Sequence, residues 1–332
     1  MQSLNLDFIS ELKSKKNLLA FSSGGDSTAL FFALLFLKIP FDIAIVNYHK
    51  RKQASLEISR ARNLAFFYQK KCFIRDSTTI TQNFEAKARN IRYDFFKEII
   101  TKYDYKNLLL AHHLNDSFEW FLMQFCKGTS MEFMSIPPKA NARFKDKNYH
   151  ILRPLWKISK KEILDFLHKN NLFYFEDFSN DDESYKRNFF RKNFSNALIK
   201  KYQSGITFSL ELLNKNNIEI KDLGGFYIFN NDNALIKISK ACKNLGLLLS
   251  KNQKLYCEKL LERKEFSSAF SGKISIEKME NKIFIAPLKT KILDKKEKEF
   301  YRIHKIPQKI RKFFSTKNID KNELLVLLNK NF

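Results

Sequence analysis

The residues best suited to chemistry are Ser22-Ser23-Gly24-Gly25-Asp26-Ser27-Thr28, set between a short apolar run and an apolar stretch of helical length. The chain has 332 residues and only eight glycines, two of them adjacent here. Lacking Cβ atoms, Gly24 and Gly25 let backbone N–H groups approach an oxyanion. A helix starting behind them adds about half a positive charge. The hydroxyls of Ser22, Ser23, Ser27 and Thr28 can donate hydrogen bonds. Asp26 fits an anion site if it holds a Mg2+ that bridges to phosphate. The stretch matches neither G-x-x-x-x-G-K-[ST], since no lysine follows the glycines, nor G-x-G-x-x-G. A tight turn capped by Asp26 or Ser27 would explain the glycines but not the whole set.

The elements around the loop define its setting. Residues 17–22, 41–48, 71–75 and 107–111 read as short buried strands, and 27–38, 55–71, 82–102 and 114–126 as helices. In 55–71, Leu56, Ser59, Asn63 and Phe67 fall on or near one face. This alternation predicts an α/β, Rossmann-like parallel sheet with helices on both faces. Residues 127–156, with Pro137-Pro138 and polar clusters, read as a surface loop. Helices follow at 160–169 and, strongly basic, at about 187–203. A smaller α+β domain is expected over 204–332, entered near Gly224-Gly225, with a helix at 251–264, a hairpin at 273–287 and a last helix at 318–329.

Composition bounds the partners. Apolar residues make up 44%, ordinary for a soluble protein. The longest apolar run, "ALLFLKIPF", is broken by Lys38 and Pro40, and no leader pattern is visible, so the expected location is the cytoplasm with no membrane partner. Cys72, Cys126, Cys242 and Cys257 lie far apart without C-x-x-C spacing, which argues against a zinc ribbon or cysteine-held cluster and for reduced, mostly buried thiols. The net charge is +25, with +12 on residues 1–200 and +13 on 201–332. A polyanion such as nucleic acid is the expected partner, although lysine-rich composition alone would produce part of this excess. A homodimer stays open.

The loop resembles the pyrophosphate loop, S-G-G-x-D-S, of the ATP pyrophosphatase-type nucleotide-binding superfamily. Counted from Ser23 it is one residue short. Four further stretches, "EAKARNIRY" (85–93), "AHHLNDSFEW" (111–120), "KGTS…IPP…RPL" and "EDFSNDDESYKRNFFR" (176–191), are similar in order and spacing to motifs of tRNA(Ile)-lysidine synthases. The departures are Asn115 and Trp120, where Asp and Thr are usual, and "VNYHKR" (46–51), which lacks the usual glycine. The resemblance covers about residues 17–191. It implies a PP-loop catalytic domain over 1–203 and a tRNA-binding role for 204–332. ATP would adenylate the C2 oxygen of the wobble cytidine of an isoleucine tRNA with a CAU anticodon, and free L-lysine would then displace AMP. Asp26, Arg92, His113, Asp116 and Glu119 would be catalytic, with Mg2+ on Asp26 and Asp116. Residues 22–28 would bind ATP. Asp116 and Glu119, three apart on one helical face, could take a lysine ammonium or Mg2+. Arg89 and Arg92, also three apart, could fork onto phosphate or carboxylate, or form a solvated helix face. His112 and His113 could position a phosphate, assist proton transfer, or simply pack. Tyr185, Arg187, Asn188 and Arg191 suit RNA phosphates and bases.

Three other readings compete. A tRNA thiolation enzyme of the same superfamily would need catalytic or cluster-binding cysteines, and a glutamine-dependent synthetase would need an amide-hydrolysing domain. A basic RNA-binding protein without catalysis would be consistent with Asn115, Trp120 and the loop.

Overall fold

Strand β1, Asn17–Ala20, reads as an apolar run after Asn17 because both its faces are covered. Leu19 packs with Phe31, Ile43 and Ile58 on one face, and Leu18 with Phe95, Phe96 and Ile99 on the other. In this computed structural model, which describes residues 3–49, 53–77, 84–176, 186–215, 220–317 and 326, the chain divides into units 1–215 and 216–332. In the first, α1 (Ile9–Ser14) precedes β1, followed by α2 (Gly25–Phe36), β2 (Phe41–Asn47), α3 (Ala54–Phe67), β3 (Cys72–Asp76), α4 (Phe84–Tyr103), β4 (Asn107–Leu109) and α5 (Leu114–Cys126). Then come β5 (Lys139–Phe144), β6 (Lys147–Leu152), α6 (Lys160–Lys169), α7 (Lys186–Phe190), a π-helical turn (Arg191–Ser195) and α8 (Asn196–Lys215).

The sheet order is β3-β2-β1-β4-β6-β5, all parallel except β5. The chain winds from β1 outward to β2 and β3, then returns to β4 on β1's other side. The loops leaving the carboxyl ends of β1 and β4 therefore diverge and open a crevice, the usual ligand position in such sheets. The expected parallel α/β sheet with helices on both faces is what forms.

Three expectations are corrected. Residues 139–152 form the β5–β6 hairpin rather than loop, turning at Lys145 (φ 51°). β5 is nearly all polar or small, so its strand character comes from pairing, with β6 parallel to β4. The buried face of α3 is Ile58, Ala61 and Ala65, whereas Leu56 and Phe67 are exposed. Small alanines let α3 approach the sheet closely, and the bulkier residues are left outside. The helical segment α8 is broken by a kink at Tyr202 (φ −128°, ψ 27°), beside the expected domain boundary at residue 203, and its second half, up to Lys215, still belongs to the first unit. Its Ile199 and Leu210 pack with Leu114 and Phe118 of α5.

The second unit is a four-stranded antiparallel sheet in the order β7-β10-β9-β8 (Tyr227–Asn230, Lys282–Pro287, Ile274–Met279, Phe266–Phe270). Helices α9 (Ala234–Asn244) and α10 (Lys251–Leu261) pack on one face, and α11 (Lys295–Ile303) and α12 (Gln308–Lys317) on the other. Gly224 and Gly225, at φ 96° and 93°, turn the chain into β7, both N–H groups donating to Asp222. The expected helix at 318–329 lies outside the described residues, apart from Val326. Among the described residues no helix is long and apolar enough to cross a membrane.

Candidate active site

The loop after β1 is built from its own hydroxyls. Ser27 Oγ receives the Ser22 N–H (3.2 Å), lies 3.0 Å from Ser22 Oγ and donates to Gly24 O (3.1 Å). Ser23 is fully buried. Its hydroxyl donates to Glu57 O on α3 (2.9 Å), and its carbonyl accepts the Phe175 N–H (3.1 Å). Thr28 Oγ1 donates to Ser23 O (3.4 Å) and accepts from Arg60 (3.2 Å). The hydroxyls of Ser23 and Thr28 thus hold the loop from behind. Helix α2 begins at Gly25, and its first-turn N–H groups have no intrahelical acceptor, as an anion site requires.

The backbone also fixes the register of the loop. Its left-handed residue is Ser23 (φ 62°), while Gly24 is extended and Gly25 opens the helix. The pattern S-G-G-x-D-S is therefore met at full length from Ser22, with Ser23 in the place of the first glycine. The expected one-residue shortening is not what the backbone shows. Gly25 packs closely, since a Cβ there would come 3.3 Å from the Tyr174 ring, which would have to give by a few tenths of an ångström.

Across the crevice, α5 presents three acidic or amide side chains from its first turns. Asp116 Oδ2 accepts the His113 backbone N–H (3.0 Å) and closes the start of the helix. The His113 imidazole Nε2 lies 3.7 Å from Asp26 Oδ2 and 3.6 Å from Asp116 Oδ2, joining loop to helix. Arg187 bonds to Asp116, and to Glu119 at 2.9 Å. Arg191 also donates to Glu119, at 2.8 and 3.2 Å. Glu119 is completely buried, so its charge depends on these two guanidiniums. The carboxylates of α5 and the arginines of 187–191 therefore form one cluster. Asn188, beside them, is buried.

The charges shape one another. Burial pushes the Asp116 carboxyl up, but His113, Arg187, His112 and the backbone N–H of His113 outweigh this and hold it well below the usual carboxylate range. Burial also pulls the Arg187 guanidinium down, and Asp116 and Glu119 reverse that, raising it. His112 is lowered to about 4, by burial first and then by Arg153, Arg187 and Arg89, despite Asp116. Arg153 Nε donates to His112 Nδ1 (3.3 Å), which suits a neutral ring protonated at Nε2.

Three contributors escaped the sequence reading. Lys160 Nζ sits 2.6 Å from Asp26 Oδ1. Buried Arg153 binds His112 and Pro137 O. Asn196 lies 3.4 Å from the Asn115 amide, whose oxygen accepts the Lys160 N–H at 2.9 Å. The capping box Ser159–Glu162 was the visible signal that a helix starts at Lys160. Arg89 and Arg92 are exposed on α4. Arg89 lies over the Tyr93 ring at 4.6 Å, and Arg92 acts on Tyr48. Tyr185 is outside the described residues.

Residues 2–198 match the PP-loop domain family. Over 325 residues the chain is 40% identical to a tRNA(Ile)-lysidine synthase of Campylobacter jejuni (strain RM1221), covering 96% of this chain and 98% of that one. The chain belongs to the tRNA(Ile)-lysidine synthase family. The synthase of Wolinella succinogenes is 39% identical (93% and 95% covered), and that of Helicobacter pylori strain 26695 is 40% identical (90% and 89%). Among solved structures, the U34-tRNA thiolase NcsA of Methanococcus maripaludis with its [4Fe-4S] cluster aligns at TM-score 0.50 and 18% identity over 73% of this chain and 87% of that one, a likeness of fold.

Family membership agrees with the thiols. Burial pushes Cys72 up to about 11, and Cys242 and Cys257 up to about 12, the reverse of an activated thiolate. Cys126 is exposed, at the end of α5.

Proposed function

We propose that the chain ligates free L-lysine to C2 of the wobble cytidine of an isoleucine tRNA bearing a CAU anticodon, forming lysidine. In the first step the C2 oxygen attacks the α-phosphorus of ATP, and pyrophosphate leaves with the electron pair of the broken P–O bond. In the second, the lysine amine forms a bond to C2, loses a proton, and AMP departs. The observation that carries this reading is the crevice itself: a Gly-Gly loop at the amino end of α2 faces carboxylates on α5 across His113, in a chain similar to lysidine synthases over nearly its whole length.

The loop 22–28 and the amino end of α2 would take the phosphates. Mg2+ fits the donors, because Asp26 and Asp116 offer hard oxygen atoms around one imidazole. Among the described residues no group of three or more His, Cys, Asp and Glu side chains forms an all-protein cage, and Mg2+ ordinarily takes few carboxylates beside phosphate and water. Asp26 and Asp116 would hold the ion, and when bound it neutralises phosphate charge. His113 would accept the proton lost by the amine through Nε2, the ring nitrogen that lies between Asp26 and Asp116 in the crevice.

Asp116 and Glu119 can receive the lysine ammonium only by exchanging cations, since both are paired with arginines. Arg187 is half-exposed and Glu119 is buried. RNA phosphates drawing Arg187 and Arg191 outward would leave Glu119 to a new cation, and the lysine ammonium is of the right charge and size. Arg89, Arg92, Tyr185 and Asn188 would complete the substrate contacts, and residues 216–332 would grip the tRNA. The test is mass analysis of the wobble nucleoside after incubation with ATP, Mg2+ and lysine. Lysidine is expected. Unmodified cytidine would refute the proposal and favour a non-catalytic RNA-binding protein, and thiolated nucleoside would favour the thiolase reading.

A further inference from the structure

The loop 22–28 contains no basic residue, although it is the expected seat of a polyphosphate. Among the described residues one ammonium reaches its open side: Lys160, 2.6 Å from Asp26 Oδ1. Arg60 touches the loop only from behind, through Thr28, and its other bond goes to Phe173 O. Lys160 and Asp26 are each about one-third exposed, with side-chain exposures of 38% and 35%. A pair this open contributes little, so it separates easily when either partner finds a better one.

The backbone of Lys160 is fixed while its side chain is not. Its N–H is held by Asn115 Oδ1, and it stands at the start of α6 directly after the Ser159 cap. A lysine stem of four methylenes from that fixed point can swing its ammonium by several ångströms without moving the helix. Asp26 is also the proposed metal ligand. A divalent cation on that carboxylate would displace an ammonium from it, and the nearest acceptors would then be the phosphates on the same loop.

We infer that Lys160 is the phosphate-binding cation this loop lacks, held by Asp26 in the free protein and transferred to the β- and γ-phosphates of ATP. This inference rests on the proposed use of ATP and names a residue for it. As the bond between the α-phosphorus and its bridging oxygen breaks, the electron pair stays on the departing pyrophosphate, and the Lys160 charge lies beside it. Loss of the ammonium should weaken ligands that carry β- and γ-phosphates and spare those that do not.

The test is equilibrium binding of ATP, pyrophosphate and AMP to the full chain in Mg2+, without tRNA, for the wild type, Lys160→Ala and Lys160→Arg. Lys160→Ala should bind ATP and pyrophosphate ~10-fold or more weakly and AMP within about twofold of wild type, with Lys160→Arg recovering most of the loss. In steady state the alanine variant should show a raised KM for ATP and a lowered kcat. Unchanged ATP affinity in Lys160→Ala would overturn the inference. So would equal weakening of ATP and AMP, because that would mean the lysine only shapes the site. Lysidine formation by the wild type is scored separately, so the ligase reading and the lysine assignment can fail independently.

Discussion

Two residues hold opposite kinds of tension. Ser23 is forced into the left-handed region, and its hydroxyl bond to Glu57 O is what it gains there. Ser23→Ala keeps the unfavourable backbone and loses the bond, so it should cost about 1 kcal/mol or more. Ser23→Gly loses the same bond but relieves the backbone, and should lie closer to wild type in urea unfolding. A glycine variant less stable than the alanine one would mean the backbone is not strained. His112 stores a pH dependence. Its folded pKa of about 4 is below the ordinary 6.5, so the unfolded chain binds its proton first as pH falls. Stability should therefore be unaffected above pH 6.5 and decline between 6.5 and 4, by up to about 3 kcal/mol. His112→Asn should flatten that part of the profile. An unchanged slope would assign the decline to other groups. Asp116 works at lower pH: its depressed carboxyl stabilises the fold above the ordinary carboxylate range and loses that contribution only in stronger acid.

At the scale of elements, Asn115 joins α5, α6 and α8 through Lys160 N and Asn196. The Lys160 N–H is one of the first-turn donors that a helix cannot satisfy internally. Asn115→Ala leaves it unpaired and should cost about 1–2 kcal/mol, while Asn115→Asp keeps the acceptor and favours the helix dipole, so its change should stay within about 1 kcal/mol. Thermal unfolding of the two variants checks the order, and equal losses would show that the amide oxygen is not what matters. The same residues show what sequence could reveal. The loop 22–28, the start of α5 and the β-α alternation were legible because each is local, an apolar run followed by a turn and a periodic helix. The hairpin 139–152 was not, because nearly polar β5 becomes a strand only beside β6 and β4. Nor was Lys160, which in a chain with 60 lysines and arginines differs from the rest only by the distant Asp26 it meets. Arg187 and Arg191 were visible as basic residues, but their pairing with Asp116 and Glu119 depended on the packing of α7 and the π-helical turn on α5.

For the molecule as a whole, the question is whether +25 is a binding surface or a composition. The two halves of the sequence carry almost equal excess, +12 and +13, so net charge alone cannot favour either for the RNA. Counterion release can. If the charge grips tRNA, affinity should fall about a hundredfold between about 50 and 200 mM salt, as expected for four to five neutralised phosphates. A flat response would make the excess compositional. Exposed Lys251 and Lys259 on α10 allow the second unit to be tested within the intact chain. Replacing both with glutamine should lower the slope of log affinity against log salt by about 1–2 if that unit carries the footprint. Both substitutions are on the helix surface, so stability should change little, and an altered slope would report contact rather than unfolding. A steep wild-type slope that the double variant leaves intact would instead move the footprint away from α10, to the first unit or to another face of the second.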